Sequence, residues 1–128
     1  MTMTEDSILL AQLEDIPEAG AMEWKCEVPE LISIILYKLN GQVFAYRNTC
    51  PHQGRPLGLG KGGPQGGQRF FFDQQRQLVC PHHGALFQMD SGNCVAGPCR
   101  GEALKKVAIH IEGEQVFLNE DLFIRAEN

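Results

Sequence analysis

The residues of this chain that are best suited to chemistry lie in two short boxes, Cys50-Pro51-His52 and Cys80-Pro81-His82-His83-Gly84. The first box has the spacing C-x-H and the second has the spacing C-x-x-H, so each supplies one thiolate and one imidazole. Thiolate sulfur and neutral imidazole nitrogen are both ligands for transition metals. Proline fixes φ and glycine permits a tight turn, which suits each box to a loop around a metal. The predicted ligands are Cys50, His52, Cys80 and His83.

Two kinds of metal centre use two thiolates and two imidazoles. In one type of 2Fe–2S cluster, two histidines replace two cysteines on one iron, which raises the reduction potential above that of an all-cysteine cluster. The boxes then place Cys50 and Cys80 on one iron and His52 and His83 on the other. Zinc is the alternative, since it also binds Cys₂His₂ sets. Zinc sites more often use paired cysteines, so the spacing favours the cluster and one-electron transfer.

Composition narrows the class of protein. The chain has 128 residues, the size of one domain, and a net charge of −5 without a Lys/Arg cluster that would indicate nucleic-acid binding. No apolar run approaches the roughly 18 residues that span a bilayer. The acidic start, Met1 to Asp6, lacks the pattern of a signal peptide. We therefore expect a single domain over 1–128, a cytoplasmic location and no membrane span, with its cysteines normally reduced.

The elements that must position the boxes are expected to be strands. Short apolar segments alternate with turn signals, which is typical of an all-β fold. Asn40-Gly41 is the strongest hairpin signal, between strands predicted over 33–37 and 42–46. Each box follows a predicted strand and so lies on a loop at a strand end. The other predicted strands cover 8–13, 69–73, 77–79, 85–89, 106–111 and 115–118, and the weak helix candidates lie near 10–13 and after Asn119.

Three segments together carry a family resemblance: Cys50 to Gly54, Cys80 to Phe87, and Gly92 to Cys99 with its Gly97-Pro98 turn. They resemble the Rieske ferredoxin family over about Ile8 to Leu118, and the third segment is similar to the Gly-Pro loop that closes over the cluster there. The resemblance implies an all-β fold, an antiparallel sandwich or barrel with a small cluster-binding lobe at about 48–99. It also implies one Rieske 2Fe–2S cluster per chain and an electron carrier that is not an enzyme.

The resemblance leaves three roles open for such a carrier. The favoured role is a ferredoxin that passes electrons from a flavin reductase to an oxygenase. The second is a small subunit beside a larger one, similar to the small subunit of an assimilatory nitrite reductase, and the third is a redox-sensing module. Apart from the box ligands, the chain has only His82 and His110 as histidines, too few for an oxygenase iron site.

The resemblance also predicts a low reduction potential. The high-potential branch of the family carries an additional cysteine in each box, joined as a disulfide, and the matching positions here are Arg55 and His82. That branch also has Ser and Tyr hydroxyls that donate to cluster sulfurs, where this chain has Ala85 and Phe87. Without those donors the reduced cluster is less stabilised, so we expect a midpoint of about −150 mV, near the bottom of the Rieske range.

A few further residues carry expectations of their own. Cys94 and Cys99 flank the Gly-Pro turn, and the alternatives are a disulfide, redox thiols or small packing residues. A reducing cytosol favours two free thiols. His82 and His110 are expected to be exposed. Trp24 is expected to lie in an acidic, irregular stretch and to anchor the N-terminal segment to the barrel.

Overall fold

The computed structural model describes residues 8–27, 31–51 and 54–119, and strands dominate these ranges. Two single-turn 3₁₀ segments cover Leu13–Asp15 and Pro64–Gly66. The strands are β1 Ile8–Gln12, β2 Gly20–Cys26, β3 Ile32–Leu39, β4 Gln42–Arg47, β5 Gly58–Leu59, β6 Arg69–Phe72, β7 Leu78–Val79, β8 Leu86–Phe87, β9 Cys94–Ala96, β10 Ile109–Glu112 and β11 Gln115–Leu118. No helix within these ranges combines the length and apolar character that crossing a bilayer requires.

The strands form three antiparallel sheets, which confirms the all-β fold. Their orders are β1-β11-β10, β2-β3-β4 and β5-β6-β7-β8-β9. The β3–β4 hairpin turns at Asn40 and Gly41, whose φ angles of 52° and 80° are those of a two-residue turn of type I′. The third sheet is built from residues 58–96 and carries the second box in the connection between β7 and β8.

Strand β3 separates two hydrophobic cores, because it is buried on both faces. Ile34 and Leu36 point into one core, which we call the base core and which also contains Val116. Ile35 and Tyr37 point into the other, the lobe core, which contains the four buried cysteines of the chain. Successive side chains of a strand alternate between faces, so one apolar strand packs against both cores. The lobe core thereby links the loops of the two boxes to the centre of the fold.

Most predicted strands are confirmed. The hairpin at Asn40-Gly41 forms as expected, strands 69–73 and 77–79 pair as β6 and β7, and the first and last predicted strands correspond to β1 and β11. The helix expected near 10–13 is wrong, since β1 continues to Gln12 and only a 3₁₀ turn follows. The tail beyond Asn119 lies outside the described residues.

Two expectations about individual residues are wrong. Trp24 lies in the regular strand β2, opposite Ile34, and not in an irregular segment. The alternation of β2 is weak because Gly20, Ala21 and Met22 are consecutive uncharged residues, so the sequence pattern did not reveal it. His110 is half-buried, since its ring stacks on Phe117 with 5.5 Å between centroids.

Candidate metal centre

Two backbone hydrogen bonds join Cys50, the first residue of the first box, to residues just beyond that box. The Cys50 N–H donates to the Arg55 carbonyl at 2.8 Å, and the Gly54 N–H donates to the Cys50 carbonyl at 2.7 Å. Gly54 has a φ of 71°, in the left-handed region that glycine adopts without a steric penalty. These two backbone hydrogen bonds hold Cys50 close to Gly54 and Arg55.

The second box repeats this geometry after β7. The Cys80 N–H donates to the Ala85 carbonyl at 2.8 Å, and the Gly84 N–H donates to the Cys80 carbonyl at 2.9 Å. Gly84 has a φ of 75°. The two boxes therefore have the same backbone hydrogen bonds at these two positions, with a cysteine at the first and a left-handed glycine at the fifth. The histidines occupy the third position in the first box and the third and fourth positions in the second.

The predicted ligands differ in burial. Cys50 is 3% exposed and Cys80 is 1% exposed, and both belong to the lobe core. His83 is exposed, as is its neighbour His82, which confirms the expectation for His82. His52 lies outside the described residues. The thiols are thus shielded from water, whereas the second box presents its imidazoles at the surface.

Over 8–27, 31–51 and 54–119, no three His, Cys, Asp or Glu side chains are gathered into a site for a single metal ion. The donor set nevertheless fits a cluster that has two chemically different irons. Two buried thiols on matching loops suit a sulfur-ligated inner iron, and an exposed imidazole suits an outer iron bound by nitrogen. The residues present therefore fit the group that the boxes imply.

The Gly97-Pro98 turn packs against the second box. A Cβ added at Gly97 would lie 2.7 Å from the Ala85 Cα, closer than real Cβ atoms approach. Gly97 also has a φ of 99°, which disfavours other residues. Glycine at this position therefore allows the third segment to contact the second box directly, as the resemblance to a closing loop predicts.

Cys99 brings a third thiol to the first box. Its side chain is fully buried, and its Sγ lies 2.9 Å from the Cys94 Sγ. Burial, followed by hydrogen bonds to Cys94 and Cys50, raises the pKa of the Cys99 thiol well above its usual range. No disulfide joins Cys94 and Cys99 in the structure. The contact between Cys99 and Cys50 was not predicted, and the only sequence signal was a cysteine directly after Gly-Pro.

Asn48 holds the start of the first loop and was missed by sequence reasoning. It is 3% exposed, yet all of its side-chain groups find partners. Its Oδ1 accepts the Leu57 N–H at 2.7 Å, and its Nδ2 donates to Ser33 Oγ at 3.0 Å and to Gln68 Oε1 at 2.7 Å. A buried amide satisfied in this way fixes the backbone on both sides of the first box.

Tyr46 ties β4 to the segment after β8. Its buried hydroxyl donates to the Met89 carbonyl at 2.7 Å. Burial, with a smaller contribution from Asp90, raises the pKa of Tyr46 to about 12. Gly92 makes room for the ring, because a Cβ there would lie 2.7 Å from Tyr46 Cε1.

The comparisons with known proteins agree with this geometry. The family model described as Rieske [2Fe-2S] domain matches residues 7–117. The chain is similar to the ferredoxin component of the naphthalene 1,2-dioxygenase system of Pseudomonas aeruginosa, with 27% identity over 117 residues, 91% of this chain and 98% of that relative.

Solved structures show the same fold. The structure is similar to the Sphingomonas yanoikuyae B1 ferredoxin, with a TM-score of 0.65 and 23% identity over 91% of this chain and 100% of that one. A chain in the complex of reduced oxygenase and oxidized ferredoxin in carbazole 1,9a-dioxygenase matches with a TM-score of 0.64 and 18% identity, over 90% of this chain and 94% of the other. The chain belongs to the Rieske 2Fe–2S family, and it is a one-electron carrier whose cofactor is a Rieske 2Fe–2S cluster.

Proposed function

We propose that this chain is the ferredoxin component of an oxygenase system, which takes one electron from a flavin reductase and delivers it to a terminal oxygenase. The similarity to the naphthalene dioxygenase ferredoxin component supports this role, because it extends over 91% of this chain and 98% of that relative. The fold shared with a chain of an oxygenase–ferredoxin complex adds support. The proposal includes a cytoplasmic location and no catalytic activity of the chain itself.

The proposed cluster ligands are Cys50 and Cys80 on one iron and His52 and His83 on the other, within one domain over 1–128 whose lobe covers about 48–99. The observation that carries this proposal is the pair of matching loops, each with a buried cysteine at its first position. A cluster bound there supplies one-electron oxidation and reduction. The lobe core excludes water from the two cysteine sulfurs, and His83 places an imidazole at the surface where a protein partner can approach.

An EPR spectrum of the anaerobically purified protein, recorded after dithionite reduction, tests the cluster. We expect a rhombic signal whose average g value lies below that of all-cysteine clusters. A colourless, EPR-silent protein with one bound zinc would instead show a zinc site.

Electron delivery needs a separate experiment. The reduced protein is mixed in a stopped-flow instrument with the oxidised terminal oxygenase of a naphthalene dioxygenase system, and the visible spectrum of the carrier is followed. We expect rapid reoxidation, and the matched control is buffer without the oxygenase. Equal rates with and without the oxygenase would refute delivery to this partner and leave the cluster assignment intact.

A further inference from the structure

Two buried thiols of the lobe core have no place in the proposed ligand set. Cys94 is 4% exposed and Cys99 is fully buried, and their Sγ atoms are 2.9 Å apart. The Cys99 thiol donates to Cys94 Sγ, and the Cys94 thiol donates to the Ala96 carbonyl at 3.2 Å. The S–S bond of a disulfide is about 2 Å long, so the two sulfurs need only a small approach to bond.

The backbone already holds the two cysteines in this arrangement. The Cys94 N–H donates to the Glu102 carbonyl at 2.8 Å, and the Gly101 N–H donates to the Cys94 carbonyl at 3.3 Å. The Glu102 N–H in turn donates to the Cys99 carbonyl at 2.9 Å. These bonds close the short segment between the cysteines without a covalent link. Bond formation between the sulfurs therefore requires little loss of backbone freedom.

Of the two cysteines, Cys94 is the one that lines a surface cavity. A cavity of about 570 Å³ is lined by Cys94 and its neighbours Asn93 and Val95 on one side, and by Arg100, Gly101 and Glu102 on the other. Cys99 does not line it. The cavity carries a guanidinium and a carboxylate, which suits a small zwitterionic molecule such as a glutathione-type disulfide.

We propose that Cys94 and Cys99 form a reversible intramolecular disulfide, with Cys94 as the first sulfur to react and Cys99 as the resolving sulfur. The oxidant is a small-molecule disulfide. Cys94 Sγ attacks one sulfur of this molecule, its S–S bond breaks, and the first small thiol leaves with the Cys94 proton. Cys99 Sγ then attacks Cys94 Sγ, and the second small thiol leaves with the Cys99 proton. Two protein thiols are oxidised and one small disulfide is reduced to two thiols.

The bond would fix the Gly-Pro turn over the second box. Gly97 lies between the two cysteines and contacts Ala85. Oxidation therefore constrains the segment that covers the proposed centre, while Cys50 and Cys80 keep their places in the ligand set. This goes beyond electron transfer, and its test does not depend on a redox partner.

The test equilibrates the cluster-loaded protein anaerobically with graded ratios of oxidised to reduced glutathione, followed by an acid quench, alkylation and intact-mass measurement. We expect a species that loses two hydrogens and two alkylation sites as the ratio rises, with fragmentation placing the link between Cys94 and Cys99. In Cys99→Ser we expect glutathione to stay attached to Cys94, because the resolving sulfur is gone. Cys26→Ser is the matched control and should behave as the unchanged protein.

Several outcomes would overturn the proposal. One is full alkylation of Cys94 and Cys99 at the most oxidising ratio, and another is a link that persists in Cys94→Ser. A Cys99→Ser protein that folds but captures no glutathione would also refute the order of reaction. Circular dichroism and the visible cluster spectrum establish folding of each variant. If a serine variant fails this check, fragmentation of the oxidised unchanged protein decides whether the link exists.

Discussion

Gly54 and Gly84 occupy equivalent positions, each four residues after the cysteine of its box. Each has a φ above 70° and donates its N–H to the carbonyl of the cysteine four residues earlier. Cys50 and Cys80 therefore make the same backbone hydrogen bonds, although the histidines are spaced differently along the two boxes. Such a repeated loop suits a two-iron cluster in which one iron has two thiolate ligands.

The second box contains two adjacent exposed histidines, which provides a matched pair of variants. We expect His83→Ala to abolish the rhombic EPR signal, because the proposed outer iron loses one of its two imidazoles. His82→Ala should retain the signal, since the spacing assigns this side chain no ligand role. Iron content and EPR of the two purified variants are the measurements, and loss of the signal in His82→Ala alone would reverse the assignment.

Gly84 and Gly97 are expected to differ in how strongly an alanine substitution destabilises the protein. Nothing lies within 4 Å of a Cβ added at Gly84, so Gly84→Ala meets only the left-handed backbone penalty, about 1–2 kcal/mol. Gly97→Ala combines a similar penalty with contact to the Ala85 backbone, for a loss of about 2–4 kcal/mol. Chemical denaturation measures both free energies of unfolding. Equal losses would show that the turn moves away from Ala85 at no cost.

The midpoint potential is expected to be low, about −150 mV. Ala85 and Phe87 are both fully buried and lack hydroxyls, so neither donates to a cluster sulfur as the matched residues of the high-potential branch do. A redox titration followed by EPR measures the midpoint. A value above zero would contradict the argument from these two positions.

Cys99 is expected to raise this midpoint by a modest amount. Its thiol donates to Cys94 Sγ and also interacts with Cys50, and a thiol that turns its proton toward a ligand sulfur stabilises the reduced, more negative cluster. We expect Cys99→Ala to lower the midpoint by roughly 20–60 mV, the equivalent of a hydrogen bond of about 0.5–1.5 kcal/mol in a one-electron couple. Cys26→Ala is the control for removal of a thiol that does not belong to the lobe core. An unchanged midpoint in Cys99→Ala would show that the contact has no electrostatic effect.

Alkaline pH is expected to destabilise the fold through Tyr46. Its pKa in the folded protein is about 12, above the ordinary value of 10, so the folded state holds the phenol proton more tightly than the unfolded state does. The contribution of Tyr46 is therefore fully present below pH 10 and is lost as the pH rises toward 12.

The decrease in the free energy of unfolding that is due to Tyr46 should approach about 2–3 kcal/mol near pH 12. Denaturation curves recorded at several pH values between 10 and 12 measure this decrease. Tyr46→Phe should lack this part of the pH dependence. At neutral pH the same variant should be less stable by about 1–2 kcal/mol, because the Met89 carbonyl loses its hydrogen-bond donor. Tyr37→Phe is the comparison, because burial also raises the pKa of Tyr37. Identical pH profiles for Tyr46→Phe and the unchanged protein would contradict the assignment to Tyr46.

Local signals in the sequence were sufficient for the all-β class and for the position of the boxes. Asn40-Gly41 specifies its own turn, because both residues adopt a positive φ at little cost. The two boxes likewise combine metal-binding residue types with Pro and Gly over a few positions. In each case the information lies within one turn of the chain, where no distant contact is needed to interpret it.

Tertiary structure alone decided the features that depend on distant segments. The location of Trp24 in β2 depends on pairing with β3, and the half-burial of His110 depends on its stacking against Phe117. The contact of Cys99 with Cys94 and Cys50 likewise required the closing segment and the first box to meet in the lobe core. Side-chain proximity between segments is set by sheet packing, which periodicity along one segment does not encode.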